Sequence, residues 1–92
     1  MGIYSTRIRT KLQDAFHPTA LEVIDDTARH HGHAGDNPDG MGETHFNVVM
    51  EAAVFAGTSR VERQRRVHAI LADELKERVH ALSLKLKAPG EA

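Results

Sequence analysis

The chain has 92 residues, of which 40% are hydrophobic and 27% charged, and its formal net charge is −1. These values are typical of one small globular domain with a single core, and they argue against extensive disorder. The balanced charge gives no overall electrostatic reason to expect binding to nucleic acid or to a membrane surface. Because cysteine is absent, disulfides, cysteine-based zinc fingers, a thiol nucleophile and an iron–sulfur cluster held by the chain's own thiolates are excluded.

The first half of the chain predicts a helix, a strand and a long loop. Apolar residues recur at helical spacing over Ser5–Phe16, and the hydroxyl of the first or second residue of this range is expected to cap the helix. His17-Pro18 should end it, because the residue before proline disfavours the α conformation. A short strand is predicted over Ala20–Asp25. Residues 26–43 are rich in glycine and histidine and predict a long exposed loop of the kind that is often functional.

The second half predicts a strand, a long helix and a last strand. Thr44–Ala52 alternates, with Phe46, Val48 and Met50 on one face. A turn follows, and then a capping box in which Ser59 and Glu62 each satisfy a free N–H of the helix start. The helix is expected to continue to about Arg78 and to turn inward Val61, Val67, Ile70 and Leu71. Val79–Lys87 alternates again, with Leu82, Leu84 and Leu86 facing the core.

The element order helix, strand, strand, helix, strand predicts an α+β fold. In a chain of this size, a two-layer sandwich is expected, with helices covering one face of a three-stranded mixed sheet. We therefore predict one domain over residues 1–92, with the loop over 26–43 and a tail over 88–92.

Histidines at two places in the chain are candidate metal ligands. The segment Arg29–His33 contains His30, His31 and His33, and neutral imidazoles in a loop can converge on zinc, iron, copper or nickel. The spacing fits no closed structural site, so an ordinary polar loop is the alternative. His80 follows the long helix and begins the last strand, where one ring nitrogen would be reachable from solvent. A histidine whose ring is satisfied in the core or at the sheet edge is the alternative there.

An arginine cluster forms the third candidate site. Residues 59–66 contain four arginines and one glutamate, a local net charge of +3. Such a helix start could bind phosphate or the carboxylates of a partner, and a solvated helix face is the alternative. At least two of the four are expected to face solvent. The cluster consists of Arg60, Arg63, Arg65 and Arg66.

No enzymatic motif is visible. The serines lie in no nucleophile elbow, and no glycine-rich phosphate loop follows a predicted strand. Gly32–Gly35 spells GxxG, but it lies between strands, whereas the RNA-binding clamp of KH domains joins two helices. We therefore expect a protein that is not an enzyme.

Three sequence blocks resemble the signatures of a known family. Glu43–Val48, Phe55–Arg65 and Val79–Leu84 are similar in content and order to the conserved blocks of the BolA family. The resemblance implies a KH-like α+β fold that lacks a functional GxxG clamp. It also implies a cytoplasmic protein (mitochondrial in the alternative) that is monomeric alone, has no membrane role and forms a heterodimer with a monothiol glutaredoxin.

The resemblance also implies a shared cofactor. In this family picture, glutaredoxin and glutathione supply thiolates to a [2Fe–2S] cluster, and the BolA-like protein supplies the histidine of the last block, here His80. A second ligand comes from the loop: counting from Thr27 points to His30, and the Gly-His-Ala environment points to His33. One departure is Gln64, where the family usually has histidine. The alternative function is that of a DNA-binding transcriptional regulator whose arginines contact phosphates.

Overall fold

The structure is a computed structural model, which describes residues 2–26 and 43–91. These residues form three helices, three strands and a short 3-10 turn at Ala53–Phe55. The helices are α1 (Ile3–Phe16), α2 (Arg60–Ile70) and α3 (Ala72–Glu77), and the strands are β1 (Ala20–Asp25), β2 (His45–Glu51) and β3 (Ala81–Lys87). None of these helices is long and apolar enough to cross a membrane.

The sheet has the strand order β1-β2-β3, with β2 in the centre. β1 and β2 are antiparallel, and Val23 lies opposite Val48. β2 and β3 are parallel, and the same Val48 lies opposite Leu84. A parallel pair requires a crossover, which α2 and α3 provide. The predicted mixed sheet and the α+β class are therefore confirmed.

The core lies between one face of the sheet and the helices. Side chains alternate between the faces of a strand, so Phe46, Val48 and Met50 point into the core and are at most 1% exposed. Ile8 and Leu12 of α1 are fully buried against them. The leucines predicted to face inward on β3 are partly buried against the same core.

Helix α1 begins earlier than predicted and is capped differently. Its first residue is Ile3, and the Gly2 cap position makes no side-chain cap bond. The predicted cap by Ser5 or Thr6 is wrong: the Ser5 N–H instead donates to Glu43 Oε2 at 2.9 Å. The cap therefore comes from a residue 38 positions away, which helical periodicity does not indicate. The end at His17 is as predicted, in the left-handed conformation with φ of 47°.

The predicted long helix is two helices. Ser59 caps α2 as expected, because the Glu62 N–H donates to its Oγ at 3.1 Å. The chain leaves helical geometry at Leu71, with φ of −99° and ψ of 17°, and α3 begins with the next residue. Two inward assignments on α2 are wrong, since Val61 is 59% and Ile70 36% exposed. The inward position near the helix start belongs instead to a buried arginine, described below.

A buried carboxylate fixes α3 on α1. Glu74 is fully buried, and it accepts hydrogen bonds from Arg7 Nε at 2.8 Å and Lys11 Nζ at 2.9 Å. Burial alone would raise the pKa of Glu74, but the bond from Lys11 and the positive charge of Arg7 keep it below its ordinary value. This contact sets the position from which the chain enters β3.

Candidate functional site

His80 has a fixed backbone and an exposed side chain. The Val79 side chain before it is 2% exposed and anchors the segment in the core. The N–H groups of His80 and Ala81 both donate to the carbonyl oxygen of Thr44, at 2.8 and 3.1 Å. His80 itself is exposed. The imidazole is therefore presented to solvent at the end of the sheet where β3 begins.

The residues that flank the histidine segment are tied to the same end of the sheet. The Asp26 N–H donates to the His45 carbonyl oxygen at 2.7 Å, and Asn47 Nδ2 donates to Asp26 Oδ2 at 3.0 Å. The Glu43 N–H donates to Asp25 Oδ2 at 3.1 Å. The chain therefore enters and leaves residues 27–42 at the end of the sheet where β2 and β3 begin.

The two predicted loop ligands, His30 and His33, lie outside the described residues. The described residues that precede and follow that segment, Asp26 and Glu43, lie beside His45 and Thr44, and the Thr44 carbonyl oxygen accepts the bond from the His80 N–H. The choice between His30 and His33 as a ligand stays open.

A further histidine lies at this end of the sheet. His45 faces Ala81 across the parallel pair, one residue from His80, and its Nδ1 is 2.8 Å from Thr44 Oγ1. His45 alternates with the inward Phe46 in the predicted strand, and it is not among the site residues predicted from the sequence. Only the pairing register, which requires the folded sheet, brings it next to His80.

The described residues provide an incomplete donor set for a metal centre. They contain no group of three or more histidine, cysteine, aspartate or glutamate side chains placed to hold a metal ion. The chain also has no cysteine. Neutral imidazole is a suitable ligand for iron, as in clusters in which histidine replaces thiolate. These donors fit a centre that is completed by a partner protein and do not fit one held by the described residues alone.

Arg63 does not belong to an exposed arginine surface. It is 6% exposed, and both terminal nitrogens lie 2.7 Å from the Glu91 carboxylate. Arg63 Nε also donates to Thr58 Oγ1 at 3.0 Å, and its Nη2 donates to the Phe55 carbonyl oxygen at 3.0 Å. The Arg63 bond, followed by that from the Ala88 N–H, lowers the pKa of Glu91 to about 2. Arg63 is therefore removed from the predicted partner-binding set.

The other three arginines remain accessible. Arg60 and Arg65 are exposed, which confirms the prediction that at least two face solvent. Arg66 is partly exposed and pairs with Glu62 at 3.2 Å. A role of these three residues in partner binding stays a prediction.

The arginines and His80 lie at opposite ends of β3. Arg63 Nη1 donates to the Leu86 carbonyl oxygen at 3.3 Å, so α2 begins beside the end of that strand, whereas His80 precedes its start. At about 3.3 Å per residue, the length of β3 separates the start of α2 from His80 by roughly 20 Å. The structure therefore does not join the predicted metal ligand and the predicted basic surface into one site.

The chain is similar in sequence to BolA-like proteins. A family model described as BolA-like protein matches residues 12–91. An uncharacterized protein in the cobS 5′ region of Sinorhizobium sp is 45% identical and covers 91% of this chain and 89% of its own length. BolA-like protein 1 of Homo sapiens is 41% identical over 99% of this chain and 62% of its own length. The DNA-binding transcriptional regulator BolA of Escherichia coli is 42% identical over 85% of this chain and 69% of its own length.

Solved structures have the same fold. The BolA domain of SufE1 from Arabidopsis thaliana superposes with a TM-score of 0.87 at 41% identity, covering 100% of this chain and 99% of that domain. The solution structure of BolA1 from Mus musculus gives a TM-score of 0.79 at 39% identity, covering 97% of this chain and 68% of that one. Some relatives are longer, since the chain spans only 25% of SufE-like protein 1 of Arabidopsis thaliana. On the family match, the identities and the fold, the chain belongs to the BolA family.

Proposed function

We propose that this chain is a non-enzymatic partner of a monothiol glutaredoxin and contributes histidine ligands to a [2Fe–2S] cluster shared with that protein and glutathione. The observation that carries the proposal is the placement of His80. Its ring is exposed on a hydrogen-bonded backbone, beside the flanks of the segment that contains His30 and His33. The partner would supply the thiolates that this sequence lacks.

The residues of this chain determine how such a centre would behave. When bound, the cluster would supply a one-electron redox centre that serves iron–sulfur cluster assembly, cluster transfer to other proteins or the sensing of iron. Neutral imidazole in place of thiolate makes the shared centre less negative, which favours a higher reduction potential. Only an unprotonated imidazole can bind iron, so ligation by histidine makes such a centre sensitive to pH.

The test is spectroscopic and compares His80→Ala with His68→Ala, which removes an exposed histidine from α2. Each variant is co-expressed with a monothiol glutaredoxin, and the visible absorption and circular dichroism of the purified complex are recorded. His80→Ala should lose the heterodimer spectrum or revert to that of the glutaredoxin homodimer, and His68→Ala should leave it unchanged. The stability change should be about 1 kcal/mol or less, because the side chain is exposed.

The loop histidines are tested in the same assay. Of His30→Ala and His33→Ala, the variant that lacks the second ligand should change the spectrum, and the other should not. An unchanged spectrum for His80→Ala, or unfolding of that variant, would show that His80 is not the ligand.

DNA binding is the second candidate function. Its supporting observations are the exposed Arg60 and Arg65 and the 42% identity to the Escherichia coli protein named as a DNA-binding regulator. Binding of this kind should weaken steeply with salt, because phosphate contacts release counterions. Fluorescence anisotropy with labelled duplex DNA at low and moderate salt tests it. No binding at low salt, or binding that the double change Arg60→Glu and Arg65→Glu leaves intact, would exclude this role for the arginines.

A further inference from the structure

Strand β3 has a free edge with unpaired backbone groups. It is an outer strand, and its bonds to β2 use the Ala81 N–H, which donates to Thr44, and the Lys87 carbonyl, which accepts from Ala52. Because backbone groups alternate in direction along a strand, those of Leu82, Leu84 and Leu86 point away from β2. The Leu86 carbonyl accordingly accepts the bond from Arg63 Nη1 on that side. In the described part of the chain, no backbone group pairs with those of Leu82 and Leu84.

A groove of about 440 Å³ runs along this edge, between β3 and the start of α2. Its apolar lining consists of Val49, Leu84 and Leu86. Its basic lining includes Arg60, Lys85 and Lys87, and none of the described residues that line it carries a carboxylate. Lys87 lies 3.8 Å from Glu51, and the charge of Arg60 helps to lower the pKa of Glu91, whereas Lys85 forms no ion pair with any residue in the described ranges. The groove is therefore apolar at its floor and positively charged at its rim.

We propose that this edge and groove bind an extended acidic segment of a partner protein as a fourth strand of the sheet. Main-chain bonds to Leu82 and Leu84 would supply affinity, as in other complexes formed by strand addition. Apolar side chains of the segment would pack on Leu84 and Leu86, and its carboxylates would pair with Arg60 and Lys85. The charge at the rim selects an acidic segment over a basic one.

The lining favours a peptide over single-stranded nucleic acid. Within residues 2–26 and 43–91 no aromatic side chain lines the groove, and bases bind such grooves largely by stacking on aromatic rings. Arg63, whose guanidinium would be the natural contact for phosphate, is occupied by Glu91 at 2.7 Å. Free N–H and C=O groups in alternation match the backbone of an extended peptide.

A second copy of this chain is a less suitable occupant than an acidic segment. Pairing two β3 edges would bring the two basic rims together, and like charges placed side by side across strands are destabilising. The charged contacts of the proposed site are also separate from His80, since Arg60, Lys85 and the groove lie toward the other end of β3. Loss of segment binding and loss of cluster ligation are therefore distinguishable.

The test uses a fluorescein-labelled ten-residue peptide of alternating glutamate and valine. Its titration is followed by anisotropy and by ¹⁵N–¹H correlation spectra of the protein. We expect saturable shifts of the Leu82 and Leu84 amides and slower exchange of their protons with solvent. Combining Arg60→Glu with Lys85→Glu should raise the dissociation constant by about tenfold or more, as expected for loss of two charge contacts.

The matched control is the pair Arg65→Glu and Lys76→Glu, which changes the net charge equally at exposed sites outside the groove. It should change the dissociation constant by less than about twofold. A peptide of alternating lysine and valine should not bind.

Three results would overturn the proposal: unperturbed Leu82 and Leu84 amides, equal weakening by both pairs of substitutions, or tighter binding of oligothymidylate at the same amides. Dimerisation through β3, detected by sedimentation, would also overturn the proposal, because the edge would then bind a second copy of this chain and not an acidic segment. The glutaredoxin complex of the single variant Lys85→Glu should keep its visible spectrum, which tests the cluster proposal separately.

Discussion

At the scale of single residues, Glu43 connects the start of α1 to the base of the histidine segment. Its carboxylate accepts the Ser5 N–H at 2.9 Å, and its own N–H donates to Asp25 at 3.1 Å. A side chain at Gly2 would overlap the same carboxylate. Glu43 holds a φ of 66°, which is unfavourable for a residue with a Cβ. The negative charge at the positive end of the helix offsets this strain.

We predict that Glu43→Ala lowers the free energy of unfolding by about 1 kcal/mol, the usual effect of losing a helix cap. Glu22→Ala, at an exposed position of β1, should change it far less. Glu43→Gly should be less harmful than Glu43→Ala, because glycine relieves the positive φ while also losing the cap. Urea unfolding followed by far-ultraviolet circular dichroism measures all three. Equal stability of Glu43→Ala and Glu22→Ala would rule out the capping role.

The exposure of a side chain could be predicted from the sequence for His80 but not for Arg63. The position of His80 after a helix and before an alternating strand indicated an accessible ring, and the residue is exposed. Arg63 was assigned to a charged surface because periodicity alone treats arginine as an outward residue. Its acceptors come from Phe55, Thr58, Leu86 and Glu91, which meet only in the folded chain.

At the scale of elements, Arg63 fastens the last described residues to α2. Its guanidinium holds the Glu91 carboxylate, and Ala88 beside it is 3% exposed. The same side chain donates to the end of the 3-10 turn at Phe55 and to the end of β3 at Leu86. One cation therefore joins a turn, a helix, a strand and the chain end.

Replacing Arg63 by methionine should lower the melting temperature more than Glu91→Gln does. The first change removes the ion pair, the side-chain donor to the Leu86 carbonyl and one of the three donors to the Phe55 carbonyl, whereas the second weakens the ion pair alone. Arg65→Met, on the exposed side of the same helix, is the control and should melt close to the original protein. Differential scanning calorimetry measures the melting temperatures of the three variants and of the original protein. A smaller effect of Arg63→Met than of Glu91→Gln would contradict the joining role.

The strands were easier to predict than the helix boundaries. Alternating side chains indicated all three strands to within two residues at either end, because one face of each strand must be apolar to cover the core. The break at Leu71 was missed, since Val67 and Leu71 maintain one helical stripe across it. The break places the acidic pair Asp73 and Glu74 in the first turn of α3, a favourable position for negative charge.

At the scale of the whole molecule, ion pairs between elements distant in sequence hold the helical layer together. Glu74 and Glu77 of α3 bind Arg7 of α1, and Glu91 binds Arg63. The bond from Arg7, followed by that from Tyr4, lowers the pKa of Glu77. The pKa values of Glu74 and Glu91 are lowered as well. Composition gave a net charge near zero, but it did not indicate that these carboxylates are paired within the fold.

These lowered pKa values predict a loss of stability in acid. A carboxyl with a lower pKa in the folded state binds fewer protons there than in the unfolded chain, so its stabilising effect is present above the unfolded pKa and is lost as the pH falls. For Glu91 the window runs from 4.5 down to about 2. The free energy of unfolding should therefore fall progressively through this range.

Urea unfolding at about pH 5, 4 and 3 measures this dependence, in a range where carboxylates titrate. Glu91→Gln should show a shallower decline than the original protein, because its side chain no longer takes up a proton on unfolding. Glu22→Gln removes an exposed carboxylate on β1 and should keep the original slope. If Glu91→Gln also keeps that slope, the carboxyl of Glu91 has the same pKa in both states, and its contact with Arg63 is not a stabilising ion pair in solution.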